Sequence, residues 1–235
     1  MTEAATSALP DRAQVVIVGG GVIGCSIAYH LTQLGRSDVV LVERHSLTAG
    51  TTWHAAGLIT SAGMTDETAL FMSRYSRDLY SRLEAETGHS TGFREVGHIS
   101  LATNPGRLES LRRSSAWMHG FGVHEVEISP SEVAALWPLL RTDDVLAGFM
   151  VADEGRADPV GVATSLAKGA RARGARIFEG VSATGVEQRG GKAGGHVKHQ
   201  AGHQHRPPAE AVGERPVEEL PQRQPEDVEA DRHLH

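Results

Sequence analysis

Hydrophobic positions along the chain fall into short apolar runs and helical stripes that alternate. Gln14–Val18 (QVVIV) is a β-branched run followed by glycines and predicts a buried strand. Val22–Leu34 (VIGCSIAYHLTQL) predicts a helix stopped by Gly35, and Val39–Val42 (VVLV) predicts a second buried strand. A strand–helix–strand unit this short implies parallel pairing through a right-handed crossover.

The middle of the chain mixes both periods. Thr65–Glu86 places Leu70, Tyr75, Leu79 and Leu83 at helical spacing. His98–Ala102 alternates as a strand. Asn104-Pro105 then opens a helix to about Gly120, with Asn as cap and Pro in the first turn. Val123–Ile128 (VHEVEI) alternates again, and Ser129–Glu132 is a capping box leading into VAALW. Val145–Val151 predicts a strand, Asp158-Pro159 a helix through about Arg173, and Ala175–Phe178 a return strand. The order β-α-β, then α+β material, then α-β predicts an α/β fold: a nucleotide-binding domain interrupted by a second domain.

The pattern breaks near residue 191. Residues 192–235 contain no Phe, Trp or Tyr but hold 5 of the 10 prolines and 6 of the 13 histidines. Their apolar positions keep neither period, so the segment is expected to be disordered. His196, His199, His203 and His205 could meet a metal, but no rigid scaffold supports them, and no metal site is assigned.

Composition narrows the function. Lys and Arg number 23 against 29 Asp and Glu, a net charge of −6, which argues against a nucleic-acid partner. The single cysteine, Cys25, leaves no disulfide framework and reads as a small buried residue. No apolar run approaches the roughly 18 residues of a membrane span. The N-terminus lacks the apolar region of a signal peptide and is not a convincing transit peptide. These features predict a cytoplasmic protein with no membrane partner.

Candidate chemistry begins at Gly19-Gly20-Gly21-Val22-Ile23-Gly24, which fits G-x-G-x-x-G between a strand and a helix. Gly19 permits the tight turn, Gly21 lets backbone approach a pyrophosphate, and Gly24 lets helix and strand pack closely. The helix start, with Val22 and Ile23, offers free N–H groups and positive dipole to phosphates. Glu43 ends the second strand, where its carboxylate would accept hydrogen bonds from a ribose. It would repel a 2′-phosphate, although Arg44 softens that repulsion. This unit alone leaves FAD and NAD both open.

Past Glu43 runs RHSLTAGTTWHAAGLIT. Its small residues, Ala49-Gly50-Thr51-Thr52 and Ala55-Ala56-Gly57, let backbone lie against a flat ring system. The motif LTAGTTWHAAGL resembles the corresponding segment of the dimethylglycine and sarcosine dehydrogenases. These belong to the glycine/D-amino-acid-oxidase-like flavoproteins. GHISLAT at 97–103 and DPVGVATSLAKGARARGARI at 158–177 continue the resemblance more weakly.

The resemblance implies FAD as cofactor, with Gly50, Thr51, Thr52, Trp53, His54, Ala55, Ala56 and Gly57 along the flavin. It implies that His54 is bonded covalently to the 8α-methyl of FAD, and Ala183 would pass near the adenine. A neutral imidazole is a competent nucleophile near neutral pH. The implied organisation is a Rossmann-like FAD-binding domain (13–88, resumed at 158–191) interrupted by a partial α+β substrate domain (89–157), both incomplete, with a tail at 192–235. The implied reaction oxidises the C–N bond of an N-methylated amino acid of the sarcosine or dimethylglycine type, by hydride transfer to flavin. A related oxidase using oxygen, or a truncated non-catalytic remnant, are the alternatives.

The small-molecule amine would be the partner; the electron acceptor and the residues contacting substrate are not assigned. Family members are several times longer, and tetrahydrofolate enters only through a folate-binding region of a full-length parent. The resemblance stops near Arg189-Gly190-Gly191, where the compositional break also falls. That coincidence favours a shifted reading frame near Gly191 over a natural tail.

Overall fold

The computed structural model describes residues 9–64, 66–189 and 192–199. It opens with β1 (Val15–Val18), α1 (Val22–Gln33) and β2 (Val39–Glu43). A short strand, β3 (Leu58–Ile59), precedes the long helix α2 (Glu67–Thr87). Next come β4 (Arg94–Glu95), β5 (His98–Ala102), α3 (Pro105–Gly120), β6 (Glu125–Ile128) and α4 (Pro130–Leu136). The chain continues through β7 (Ala147–Val151), β8 (Gly155–Arg156), α5 (Pro159–Ala172), β9 (Arg176–Glu179), β10 (Val181–Arg189) and β11 (Lys192–His199).

The first sheet has the order β1-β2-β9 and is parallel throughout, with Ile17 opposite Leu41 and Leu41 opposite Ile177. Strand β2 is buried on both faces. Val39 and Leu41 join a core with Cys25, Ala28 and Tyr29 of α1 and Ala163, Leu166 and Ala170 of α5. Val40 and Val42 pack instead with Val181 and Phe178. Small residues let α1 and α5 approach closely: a Cβ on Gly169 would lie 2.8 Å from the Tyr29 ring. That buried ring ends in a hydroxyl that donates to Glu86 Oε2 at 2.5 Å.

Strand β1 departs from its predicted burial. Val16 is 51% and Val18 64% exposed, because among the described residues β1 pairs only with β2 and nothing covers this face as Val181 covers Val42.

A second sheet, order β5-β7-β6, is antiparallel. Its central strand has Gly148 where a Cβ would meet Val133 Cγ2 at 2.6 Å and Ile128 Cγ1 at 2.9 Å, so α4 can lie directly on it. The caps read from sequence are present: Asn104 accepts from Arg107 N, Asp158 from Val160 N and Gly161 N, and Ser129 and Glu132 form the reciprocal box. A small sheet, order β3-β8-β4, ties the segment after residue 57 to the chain before α5.

Order continues past the compositional break. Strand β11 occupies Lys192–His199 and pairs antiparallel with β10, Arg189 opposite Lys192. Backbone pairing needs no apolar period, and Gly190-Gly191 between the two runs is a two-residue hairpin signal in the sequence. The rest of the expected disordered tail, 200–235, lies outside the described residues.

The VHEVEI strand inverts the usual rule. Val123 and Glu125 are buried, while Val126 is 58% exposed. Glu125 is only 3% exposed, and no partner for its Oε2 is present among the described residues. Burial raises its carboxyl pKa above the ordinary range; Ser115 and His119 oppose that shift and the Glu154 carboxylate adds to it. The native state therefore holds this proton more tightly than the unfolded chain. Stability falls as pH rises from the usual carboxylate range toward the raised value. Glu125→Gln should raise the melting temperature by roughly 2–4 °C near pH 7.5 and leave it unchanged near pH 4. Identical melting curves at both pH values would contradict this.

Candidate cofactor site

The site starts where β1 meets α1. Gly19 turns the chain with φ +109°, and a Cβ on Gly24 would sit 1.9 Å from the Gly19 carbonyl oxygen. Only glycine at position 24 lets the helix start against the strand end. The N-cap, Gly21, supplies no side chain, and the first turn holds no acid, so the positive end of the dipole faces the cavity that this turn lines; the Val22 N–H, expected to be free, is instead taken by Thr52 Oγ1. The cavity measures about 630 Å³, within the span of cofactor sites, roughly 300–1,000 Å³.

Glu43 stands beside the turn with both oxygens anchored. Its Oε2 accepts from Gly20 N at 2.7 Å and its Oε1 from His45 N at 2.9 Å. Each oxygen keeps a further acceptor position. The loop after it folds back onto the glycines. Thr48 donates its N–H to the Gly20 carbonyl at 2.9 Å, in a left-handed conformation with φ 66° that costs a β-branched residue on the order of 1–2 kcal/mol. Leu47 N donates to Glu179 Oε2 at 2.9 Å, fixing the loop to the end of β9.

The following segment makes one 3-10 turn, Thr52–His54. Thr52 is buried, and its Oγ1 accepts from Val22 N at 2.9 Å. Trp53 and His54 are exposed, with ring centroids 3.7 Å apart. Gly57 has φ 74°, and a Cβ there would lie 2.1 Å from the Ala157 oxygen. Its carbonyl accepts from Ala157 N at 2.8 Å. Just beyond, the buried Glu154 accepts from Thr60 Oγ1 at 2.6 Å and from Ser61 N. The segment is thus held at both ends.

Eleven of the sixteen residues singled out from sequence line this one cavity: Gly19, Gly21, Val22, Ile23, Gly24, Glu43, Arg44, Gly50, Thr51, Thr52 and Ala55. Trp53, His54, Ala56 and Gly57 share the loop but are not part of the lining, and Ala183 lies on β10 opposite Val197. Ala49, read from sequence as one of the small residues facing a flat ring, lines the cavity too; sequence reasoning missed Ile17, Val18, Ile27 and His45. Helical spacing from Ile23 could have found Ile27, and position next to Arg44 could have found His45.

Two residues set aside as structural stay so. The Cys25 thiol is buried, which pushes its pKa up to about 11. His30 bonds the Ser26 carbonyl and the Tyr75 hydroxyl.

A helix start whose N-cap is glycine and whose first turn holds no acid, a fixed carboxylate at the next strand end and a loop of small residues on the same cavity fit a dinucleotide. The sequence profile of the family described as "FAD dependent oxidoreductase" (DAO) matches residues 14–212. The chain belongs to this family. The match passes residue 191, where the sequence reading ends the resemblance.

Human mitochondrial sarcosine dehydrogenase is 40% identical over 178 residues, which cover 76% of this chain and 19% of that protein. Rat mitochondrial dimethylglycine dehydrogenase is 39% identical over 182 residues, covering 76% and 21%. The structure of L-proline dehydrogenase from P. horikoshii superposes with a TM-score of 0.75 at 26% identity, covering 80% of this chain and 50% of that one. The chain therefore spans about a fifth of these curated relatives. Among the described residues of this FAD-family chain, no helix is long and apolar enough to cross a membrane.

Two glycines separate packing from lining. Gly24→Ala should cost upwards of about 3 kcal/mol, since backbone rather than a flexible side chain blocks the added methyl. Gly50→Ala, whose Cβ meets nothing within 4 Å, should melt like the wild type in nucleotide-free protein. Thermal denaturation of both variants checks the contrast.

Proposed function

We propose that the cavity binds FAD and serves oxidation of the C–N bond of an N-methylated amino acid of the sarcosine or dimethylglycine type. The supporting observation is that the glycine-capped start of α1, the anchored Glu43 and the small-residue loop open onto one cavity. Relatives named sarcosine and dimethylglycine dehydrogenase, at about 40% identity, support the substrate class.

In this reading Gly21, Ile23 and Gly24 hold the pyrophosphate with backbone N–H groups and the helix dipole, while Gly19, whose N–H donates to the Val42 carbonyl at 2.9 Å, shapes the turn. Glu43 accepts from the ribose hydroxyls, already oriented by the N–H groups of Gly20 and His45. Gly50–Gly57 line the flavin, whose small side chains let a planar ring lie close. FAD, when bound, supplies the hydride acceptor for the reaction. His54 carries the covalent attachment; its exposed imidazole extends from the 3-10 turn beside the lining residues Thr52 and Ala55. Residues 13–88 and 158–191 form the FAD-binding part, and 89–157 belong to the substrate part.

A chain carrying covalent FAD should precipitate yellow in acid, and the colour should be absent from the His54→Ala precipitate. Steady-state assays with sarcosine and dimethylglycine, with oxygen or an artificial acceptor, separate a dehydrogenase from an oxidase. A colourless protein that does not take up added FAD would defeat the reading.

A further inference from the structure

We propose that Thr52 is a positioning residue: its hydroxyl couples the flavin-side loop to the phosphate turn, so that the two halves of the cofactor site hold one spacing. The proposal rests on the FAD reading above and assigns Thr52 a role other than lining the ring.

Thr52 is nine-tenths buried, and its Oγ1 accepts the N–H of Val22, the first residue of α1, at 2.9 Å. The two residues are 30 apart in sequence, so the bond joins separate loops. The approach is close enough that a Cβ on Gly21 would lie 3.1 Å from the same oxygen. The second glycine of the fingerprint thus leaves room for this loop as well as for a phosphate. Two more bonds run parallel to it: Thr48 N to the Gly20 carbonyl, and Gly20 N to Glu43 Oε2. Those two hold the near part of the loop, residues 43–48. Thr52 alone among these contacts reaches the far part, where the 3-10 turn carries Trp53 and His54.

The physical need comes from a ligand gripped at two ends. Once the adenosine end is bound, the ring end meets its loop at an effective concentration set by how firmly the two loops hold their separation. A loop already in register spares the ordering cost at binding. The coupling therefore matters for a ligand that spans both loops and not for one that reaches only the phosphate turn.

ADP and FAD make the test, since ADP carries the adenosine and pyrophosphate without the ring. Thr52→Val keeps shape and removes the acceptor; Thr52→Ser keeps the acceptor. With His54 replaced by alanine, so that binding is reversible, the Thr52→Val chain should bind FAD about tenfold more weakly than its Thr52 counterpart. Its affinity for ADP should change less than about twofold, and Thr52→Ser should restore FAD binding. In nucleotide-free protein the Val22 amide should exchange slowly in the wild type and in Thr52→Ser, and about tenfold faster in Thr52→Val.

Equal weakening of ADP and FAD would overturn the proposal and make Thr52 a phosphate ligand instead. Unprotected Val22 in the wild type would overturn it too, a measurement that holds even if Thr52→Val does not fold. Wild-type protein that binds ADP but not FAD would defeat the functional reading, and Val22 exchange would still decide whether the loops are coupled.

Discussion

The contact between position 24 and the carbonyl of Gly19 governs the rest of the molecule. With no Cβ at Gly24, α1 begins directly against the end of β1, and its first turn lines the cavity, with the Val22 N–H taken by Thr52. The direction of α1 then sets where Tyr29 lies, and Gly169 lets α5 close over that ring. Helix α5 in turn delivers β9 to the open side of β2. Cofactor site and core are consequences of one close approach.

Much of this was legible because local signals agreed. Three glycines, an apolar strand on each side of a helix and Glu43 at a strand end carry their own geometry, and the loops they organise are short. Caps were equally readable, since Asn104, Ser129 and Asp158 bond to N–H groups two or three residues away. What escaped depends on partners distant in sequence. The exposure of Val16 and Val18 follows from one face of β1 having no covering layer among the described residues, which no run of residues records. Burial of Glu125 follows from the pairing of β6 with β7, which turns Val123 inward and carries Glu125 with it.

The loop from Glu43 to Gly57 shows how a scaffold can hold a segment with little regular structure. Glu43, Thr48, Thr52, Gly57 and Glu154 tie it to the phosphate turn, to Ala157 and to the turn between β7 and β8 at intervals of a few residues. The left-handed Thr48 is the conformational cost of one of those ties. Trp53 and His54 project between tied points, and this sets how far their rings can wander.

The register of the first sheet has a consequence for how the chain is made. Val40 pairs with Arg176, so the middle strand waits for its second neighbour until most of the described polypeptide has left the ribosome. Parallel pairing over such a separation is entropically slow, and the β1–α1–β2 unit has an unsatisfied strand edge meanwhile. Nascent chains of this protein therefore spend synthesis with apolar edges uncovered, the condition in which chains associate wrongly with one another.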